Sequence, residues 1–300
     1  MSGRVLILLH ATDPYPEGPS YFAWGLRDVW REMGIDVRIA RGLDETVDAD
    51  LVLPHIDLTI TPRPYRTLLD ALPNVANAGL YDISKRRVSR HLVTATDPWR
   101  GPVIVKTDRN HGGLPERSVA RAERNWRTRM VSNLGRAVRG HAAQSLVRGT
   151  DYLIFDGLAR VPEQAFSDRS LVIEKFLPER EGDRYYLRWY IFIGDRYRSM
   201  RIGSNDPLVK LGNREGAEFG VDVPASVVAL REEWGMDYGK IDYVMHNGVP
   251  VILDVSRTPS DVPPAQRLET CRPYGPGILS LLARASGKER TLTHRDVDRV

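Results

Sequence analysis

Three groups of residues have the types and spacing to do chemistry. The first is Val103-Ile104-Val105-Lys106 followed closely by Asn110-His111-Gly112-Gly113. A lysine ending an apolar strand, with paired glycines just beyond, suits a polyphosphate. Glycine lets backbone amides approach phosphate oxygens, and the ammonium adds a point charge. No Gly-Lys-Ser/Thr opens a helix, so this is not a Walker loop. A turn beside a snorkelling lysine would use the same residues. The second group is Leu171-Val172-Ile173-Glu174-Lys175-Phe176-Leu177, an apolar strand broken by a charged pair and ended by Pro178. Strand alternation sends Glu174 and Lys175 to opposite faces, so at least one is expected to meet a cleft. The backbone freed at the proline could read a base edge, and an edge strand with a surface ion pair is the alternative. The third group is Asp242 and Asp254, carboxylates on the two arms of a hairpin turning at Asn247-Gly248. Two strand carboxylates suit Mg²⁺, which takes few protein oxygens and keeps phosphates and waters elsewhere. A regular two-residue turn would put Asp242 opposite Leu253 and the two acids on opposite faces. A metal site therefore requires an odd-length loop or a bulge.

These residues need elements to hold them. Arg4–Leu9 reads as a buried strand, Ser20 as the cap of an amphipathic helix carrying Phe22, Leu26, Val29 and Trp30, and Gly34 as its stop before a strand over 35–40. Short strands at 51–53 and 75–78 flank a helix over 65–72. Alternating strands and helices argue for an open α/β sheet. Next come a helix over 82–93 capped by Asp82 or Ser84, a strand over 102–106, a loop over 107–115, helices across a basic stretch, and a strand over 171–176. The last third reads as antiparallel. Strands over 185–193 and 197–202 join at Gly194-Asp195, and strands over 240–246 and 250–255 join at Asn247-Gly248. A helix over 225–234 lies between the hairpins, and one over 277–286 packs back at the end. The expected divisions are 1–82, 83–177 and 178–300, in keeping with a 300-residue chain.

Composition excludes several classes. With 42% hydrophobic and 27% charged residues the chain is globular, not fibrous or low-complexity. Its apolar runs are strand-sized, and the N-terminal one stops at His10, so neither a membrane span nor a secretory signal is expected. Cys271 is the single cysteine, which excludes an internal disulfide and suits a reducing cytoplasm. Only six of 43 basic residues are lysine. In so arginine-biased a chain, a lysine points to a place where a compact ammonium is wanted. Eight arginines against two glutamates between 115 and 150 carry the excess positive charge.

Together with Asp82-Ile83-Ser84-Lys85, the three groups in this order resemble the ATP-grasp superfamily, whose members include D-alanine–D-alanine ligases, glutathione synthetases and ribosomal-protein glutamate ligases. The resemblance covers roughly Asp82–Pro259. It implies an α/β and α+β architecture: an N-terminal open α/β domain, a small central lid domain, and a C-terminal antiparallel-sheet domain, with ATP held between the last two. It also implies site residues. Lys85 and Lys106 resemble the phosphate-binding lysines, and Asn110, Gly112 and Gly113 the loop closing over them. Glu174, Lys175, Phe176 and Leu177 resemble the strand that holds adenine by main-chain contacts. Glu181 is placed like the ribose-binding acid, with Glu179 and Asp183 as competitors, and Lys210 like a further phosphate ligand. Arg188 and Arg201 resemble the arginines that steady the acyl phosphate and the substrate carboxylate. Asp242, Asp254 and Ser256 stand where the family holds magnesium. There the chain departs from the usual Glu-x-Asn: Asp254 reaches less far, Ser256 is a weaker ligand, and Arg257 adds a cation nearby.

The implied cofactors are ATP and Mg²⁺, with Mn²⁺ as a substitute. The implied function is a ligase that phosphorylates a carboxylate and joins it to an amine or thiol. A phosphotransferase on the same fold and a non-catalytic nucleotide-binding module remain the alternatives, the latter because of Ser256. The expected partners are a small-molecule or peptide carboxylate and an amine acceptor, without a membrane, and a homodimer stays open. Arg117, Arg121 and Arg124 share a helical spacing, and Arg136 and Arg139 form a second pair. They read either as a lid admitting an anionic substrate or as a solvated face. Nucleic acid ranks low because Trp126 is alone there as a base-stacking aromatic.

Overall fold

The computed structural model describes residues 3–13, 21–43, 47–123, 152–260 and 262–287, with the backbone of 295–296. Most of the arginine-rich stretch, including Arg124, Trp126, Arg136 and Arg139, lies outside the described residues, as does Ser20. The first sheet is parallel, with β1 (Arg4–Leu9) between β2 (Asp36–Arg41) and β3 (Leu51–His55). Val5 to Leu9 are all buried because a central parallel strand is covered on both faces. One face packs on α1 (Phe22–Glu32) and on the C-terminal helix Gly277–Ala285, through Trp24, Trp30, Tyr274, Ile278 and Leu281. The other packs on α2 (Arg63–Asp70) through Tyr65 and Leu69. Helix α1 starts without a side-chain cap. The N–H of Phe22 donates instead to the carbonyl of Pro259 at 3.0 Å. Gly34 follows α1 at φ 78°, the left-handed stop that its position predicts. Cys271 is buried against this helix, its thiol pushed up to about 12 by burial.

Two expected elements shrink. The strand over 75–78 is a single bridge between Val75 and Val52. The helix over 82–93 is one turn, α3 (Lys85–Val88). Helical spacing is present there, but competing backbone partners end it on both sides. Ile60 bridges Asp82, and residues 91–93 run beside a strand, with Val93 N–H on Ile173 O and Lys175 N–H on His91 O, both at 2.9 Å.

The second sheet is small: β4 (Val103–Thr107) between β5 (Leu153–Phe155) and β6 (Leu171–Lys175), all antiparallel. One face carries Val103, Val105, Leu171 and Ile173 into a core with Trp99 and Phe166. The opposite face carries Ile104, Lys106, Val172 and Glu174. The third sheet orders β10 (Ala217–Phe219), β9 (Arg196–Ser204), β8 (Arg184–Ile193), β11 (Tyr238–His246) and β12 (Val249–Ser256), with β7 (Glu179–Glu181) beside β8. Its Tyr190, Phe192, Ile241, Tyr243 and Val255 face one core and its Trp189, Met200 and Ile202 another. An N-terminal α/β sheet, a small central sheet and a C-terminal antiparallel sheet make up the architecture that the resemblance implies.

Candidate active site

The site is built where β4 and β6 meet β12. In the β4–β6 register Lys106 lies opposite Val172, two residues from Glu174, so lysine and glutamate are diagonal neighbours on one face. Lys106 Nζ donates to Glu174 Oε2 at 2.8 Å, with both side chains no more than 5% exposed. It also reaches Leu253 O on β12 at 3.4 Å. Burial raises the Glu174 carboxyl above its ordinary value, and Lys106 opposes that rise. Lys175, on the other face, sits 4.9 Å from the Trp99 ring. The expectation that this charged pair divides between faces describes the strand correctly.

Lys85 enters from α3 and is 1% exposed. Its ammonium donates to Arg109 O at 3.1 Å and Asn110 Oδ1 at 3.3 Å and lies 3.7 Å from Asp254 Oδ2. Asn110 is itself a clamp: its N–H donates to Thr59 Oγ1 and its amide to Val255 O. His111, Gly112 and Gly113 follow at φ 46°, 62° and 71°. Three successive left-handed residues make the tight turn that delivers the chain into α4 (Leu114–Glu123), and the two glycines take that conformation without a Cβ penalty. Arg117 closes the turn by donating to Gly112 O at 2.8 Å.

The acidic hairpin meets its condition by a bulge. Asn247 and Gly248 form a two-residue turn at φ 51° and 77°, with His246 paired to Val249. The register then slips between Asp242 and Tyr243, leaving Leu253 as the extra residue and setting Asp242 directly opposite Asp254. Both carboxylates therefore share a face, with Ser256 two residues beyond Asp254. Asp242 is raised above its ordinary value by burial and by Asp254, against the pull of Lys240. Among the described residues no group of three or more His, Cys, Asp or Glu gathers to hold a metal. The same-face pair fits Mg²⁺, an ion content with one or two carboxylates when phosphates complete its shell.

Other expected residues have other neighbours. Arg188 and Arg201 pair with each other across β8 and β9, and Arg188 pairs with Tyr243 across β11. Asp242 pairs with Trp189, so the arginines lie on the opposite face from the acidic pair, and the structure does not bring them to it. Both grip Glu179, Arg188 with Nε and Nη2 at 2.8–3.1 Å and Arg201 with Nε at 3.0 Å. Burial raises the Glu179 carboxyl, but Arg188, the Met245 N–H and Arg201 outweigh it and leave the group below its ordinary value. Glu181 is exposed and bonded to Arg201, and Asp183 is exposed beside Arg180. Phe176 N–H donates to Pro102 O at 2.9 Å, whereas the backbone of Leu177 makes no hydrogen bond among the described residues. Lys210 Nζ lies 5.3 Å from the Tyr152 ring. Arg257 corrects an expectation: its guanidinium adds no charge to the acidic pair. It is buried and donates to Thr61 Oγ1, Leu80 O and Leu58 O, where burial pushes it down to about 10.

Glu179, a competitor of Glu181, instead anchors the two arginines on the opposite face. Two residues join the site that the spacing did not single out. Lys240 holds Asp242, and Tyr152 sits among Asp254, Lys106, Glu174 and Asp242 with its phenol pushed up to about 12, chiefly by burial. Lys240 carried a usable signal as one of the six lysines. Tyr152 had none. A separate cavity of ≈ 370 Å³ lined by Leu51, Val75, Asp237 and Arg284 shares no residue with this cleft.

The second and third sheets flank a charged cleft of lysines and carboxylates. No family model matches the chain, and no curated protein matches it. Among solved structures it is similar to a D-alanine–D-alanine ligase from Bacillus anthracis, with 12% identity over 96% of this chain and 100% of that one, at TM-score 0.47. It is similar to a RimK-domain ATP-grasp protein from Sphaerobacter thermophilus, with 13% identity over 93% and 98%, at TM-score 0.45. A RiPP-associated ATP-grasp ligase from Chryseobacterium gregarium, in complex with ADP and a leader and core peptide, aligns at 9% identity over 97% and 98%, with TM-score 0.49. No helix among the described residues is long and apolar enough to cross a membrane.

Proposed function

We propose that this chain is an ATP-dependent ligase that activates a carboxylate as an acyl phosphate and joins it to an amine or thiol. One observation carries the reading: two buried lysines from separate segments, Lys85 and Lys106, converge on a cleft whose far wall is the same-face pair Asp242–Asp254. Buried lysines are seldom kept without a role, and here each is paired with a carboxylate whose place a phosphate oxygen would take. In the proposed complex Lys85 and Lys106 hold phosphate oxygens beneath the turn at Asn110, Gly112 and Gly113. The unpaired backbone of Leu177 reads the base beside Glu174, Lys175 and Phe176. Glu181 takes the ribose, and Lys210 and Tyr152 border the phosphates. Asp242 and Asp254 hold magnesium, with Ser256 in reach as a neutral oxygen. When bound, the ion neutralises charge on the transferring phosphoryl group. The lysines stabilise that charge and then the oxyanion formed when the amine adds, so no protein nucleophile is needed. Arg188 and Arg201, tied to Glu179, act as positioning residues for β7 and the strand before it. Residues 1–82, 83–177 and 178–300 are the proposed domains, and the cytoplasm is the proposed compartment.

The test is phosphate release from ATP and Mg²⁺ with pools of carboxylates and amines. The expected outcome is ADP and phosphate only when both an acid and an acceptor are present. ADP formation that ignores the acceptor would favour a phosphotransferase. A protein that does not bind ATP would overturn the reading.

A further inference from the structure

The acidic pair carries its own cations. Lys240 and Asp242 are two residues apart on β11 and share a face, and Lys240 Nζ lies 3.0 Å and 3.1 Å from the two carboxylate oxygens. The ammonium is also 4.2 Å from the Trp189 ring, whose residue pairs with Asp242 on the neighbouring strand. A cation held between a carboxylate and an aromatic face is well retained. Across the hairpin, Asp254 has Lys85 at 3.7 Å. Three lysines, Lys85, Lys106 and Lys240, thus face three carboxylates, Glu174, Asp242 and Asp254. With Arg214 also over the Trp189 ring and acting on Asp242, these carboxylates are fully matched by cations without any metal.

A divalent ion approaching this cleft gains two carboxylates and no third acidic ligand among the described residues. To use Asp242 it must displace or share an ammonium that hydrogen-bonds Oδ2 and lies 3.0 Å from Oδ1. Phosphate oxygens change that balance in two ways. They supply the ligands that the protein lacks, and they offer the lysines another anion. We propose that Lys240 is a resident counter-ion of Asp242 that makes metal binding at the acidic pair conditional on nucleotide. Linkage requires the reverse as well, with metal tightening nucleotide by the same factor that nucleotide tightens metal. This rests on the reading of Asp242 and Asp254 as metal ligands.

The probe is Mn²⁺, titrated into the nucleotide-free full-length protein while electron paramagnetic resonance reads free Mn²⁺. Lys240→Gln and Lys240→Met remove the charge, and two neutral variants are used because each perturbs folding beside Asp242 differently. The expected result is that both bind Mn²⁺ roughly tenfold or more tighter than wild type, since an unscreened neighbouring cation is lost. Lys240→Arg, which keeps the charge, stays within about threefold of wild type. Adding Asp242→Asn to Lys240→Gln abolishes the gain, locating the ion at Asp242. Neutral variants that fold, by thermal melting, yet match wild type in Mn²⁺ affinity would overturn the proposal. A fluorescent ATP analogue in the same samples separates the two levels. Nucleotide binding with no gain in Mn²⁺ affinity sinks the role of Lys240 alone, whereas no nucleotide binding in wild type with Mn²⁺ sinks the ligase reading and this inference with it.

Discussion

Lys106→Met isolates what the buried ion pair does for the fold from what it does for a ligand. Lys106 and Glu174 are almost wholly removed from water and 2.8 Å apart. Removing one partner strands the other, which typically costs about 3–5 kcal/mol. The cost depends on pH, and its sign follows from Glu174. Its carboxyl is already raised by burial, with Lys106 opposing, so the variant raises it further. A group whose folded value lies above its unfolded one contributes full stability below the unfolded value. It loses that contribution as pH rises through the folded value. Lys106→Met is therefore expected to be most destabilised near about pH 8 and to recover toward about pH 5, as falling pH favours the protonated form of Glu174. Urea unfolding followed by tryptophan fluorescence at both pH values measures this. Replacing both residues, as Lys106→Met with Glu174→Met, is expected to come within about 1 kcal/mol of wild type, because two apolar side chains leave no stranded charge. Nucleotide affinity should behave differently. Loss of a charge-assisted contact worth about 1.5–3 kcal/mol weakens it by roughly 10- to 100-fold in the single and the double variant alike. A double variant that binds nucleotide like wild type would refute the phosphate role of Lys106. A single variant that loses less than about 0.5 kcal/mol at alkaline pH would refute the buried-pair argument.

Glu179→Gln is expected to flatten the acid limb of the stability curve. The lowered carboxyl of Glu179 contributes stability above its ordinary value, and that contribution fades as pH falls through the depressed one. Urea midpoints should fall less steeply in the variant than in wild type as the pH drops from about 5 through the ordinary carboxyl value and below it. Arg257→Met strips donors from Thr61, Leu80 and Leu58 and should cost about 3 kcal/mol or more, while Mn²⁺ affinity stays at the wild-type value because the guanidinium serves the N-terminal segment. Gly248→Ala places a Cβ at φ 77° and should lower stability by about 1–2 kcal/mol in the same assay.

Much of the fold is legible locally. The apolar run Arg4–Leu9, the glycine stop at Gly34 and the turns at Gly194 and Asn247-Gly248 are set by neighbours within a few residues, and each lies where the residues place it. The helix over 82–93 is not legible, because its spacing is helical while its backbone partners, Ile60, Ile173 and Lys175, come from distant segments. The same distinction divides the site. Lysine scarcity marks Lys85 and Lys106, but no spacing says that Lys106 meets Glu174, 68 positions away, rather than solvent.

The hairpin shows the boundary most clearly. Residue types alone determine that Asp242 and Asp254 stand on adjacent strands, and period-two alternation determines that a regular register would part them. Only the assembled sheet decides that Leu253 bulges, because a register is chosen by the packing of both faces at once. Here Tyr243 and Val255 enter one core while Trp189 fixes the other side of Asp242. Tertiary structure likewise decides that Arg257 leaves the acids for the N-terminal segment and that Lys240 stays with them. The chain by itself determined which charges exist and on which elements. Which charge faces which is a property of three sheets packed together, since burial makes an unpaired ion too costly to keep and so selects its partner.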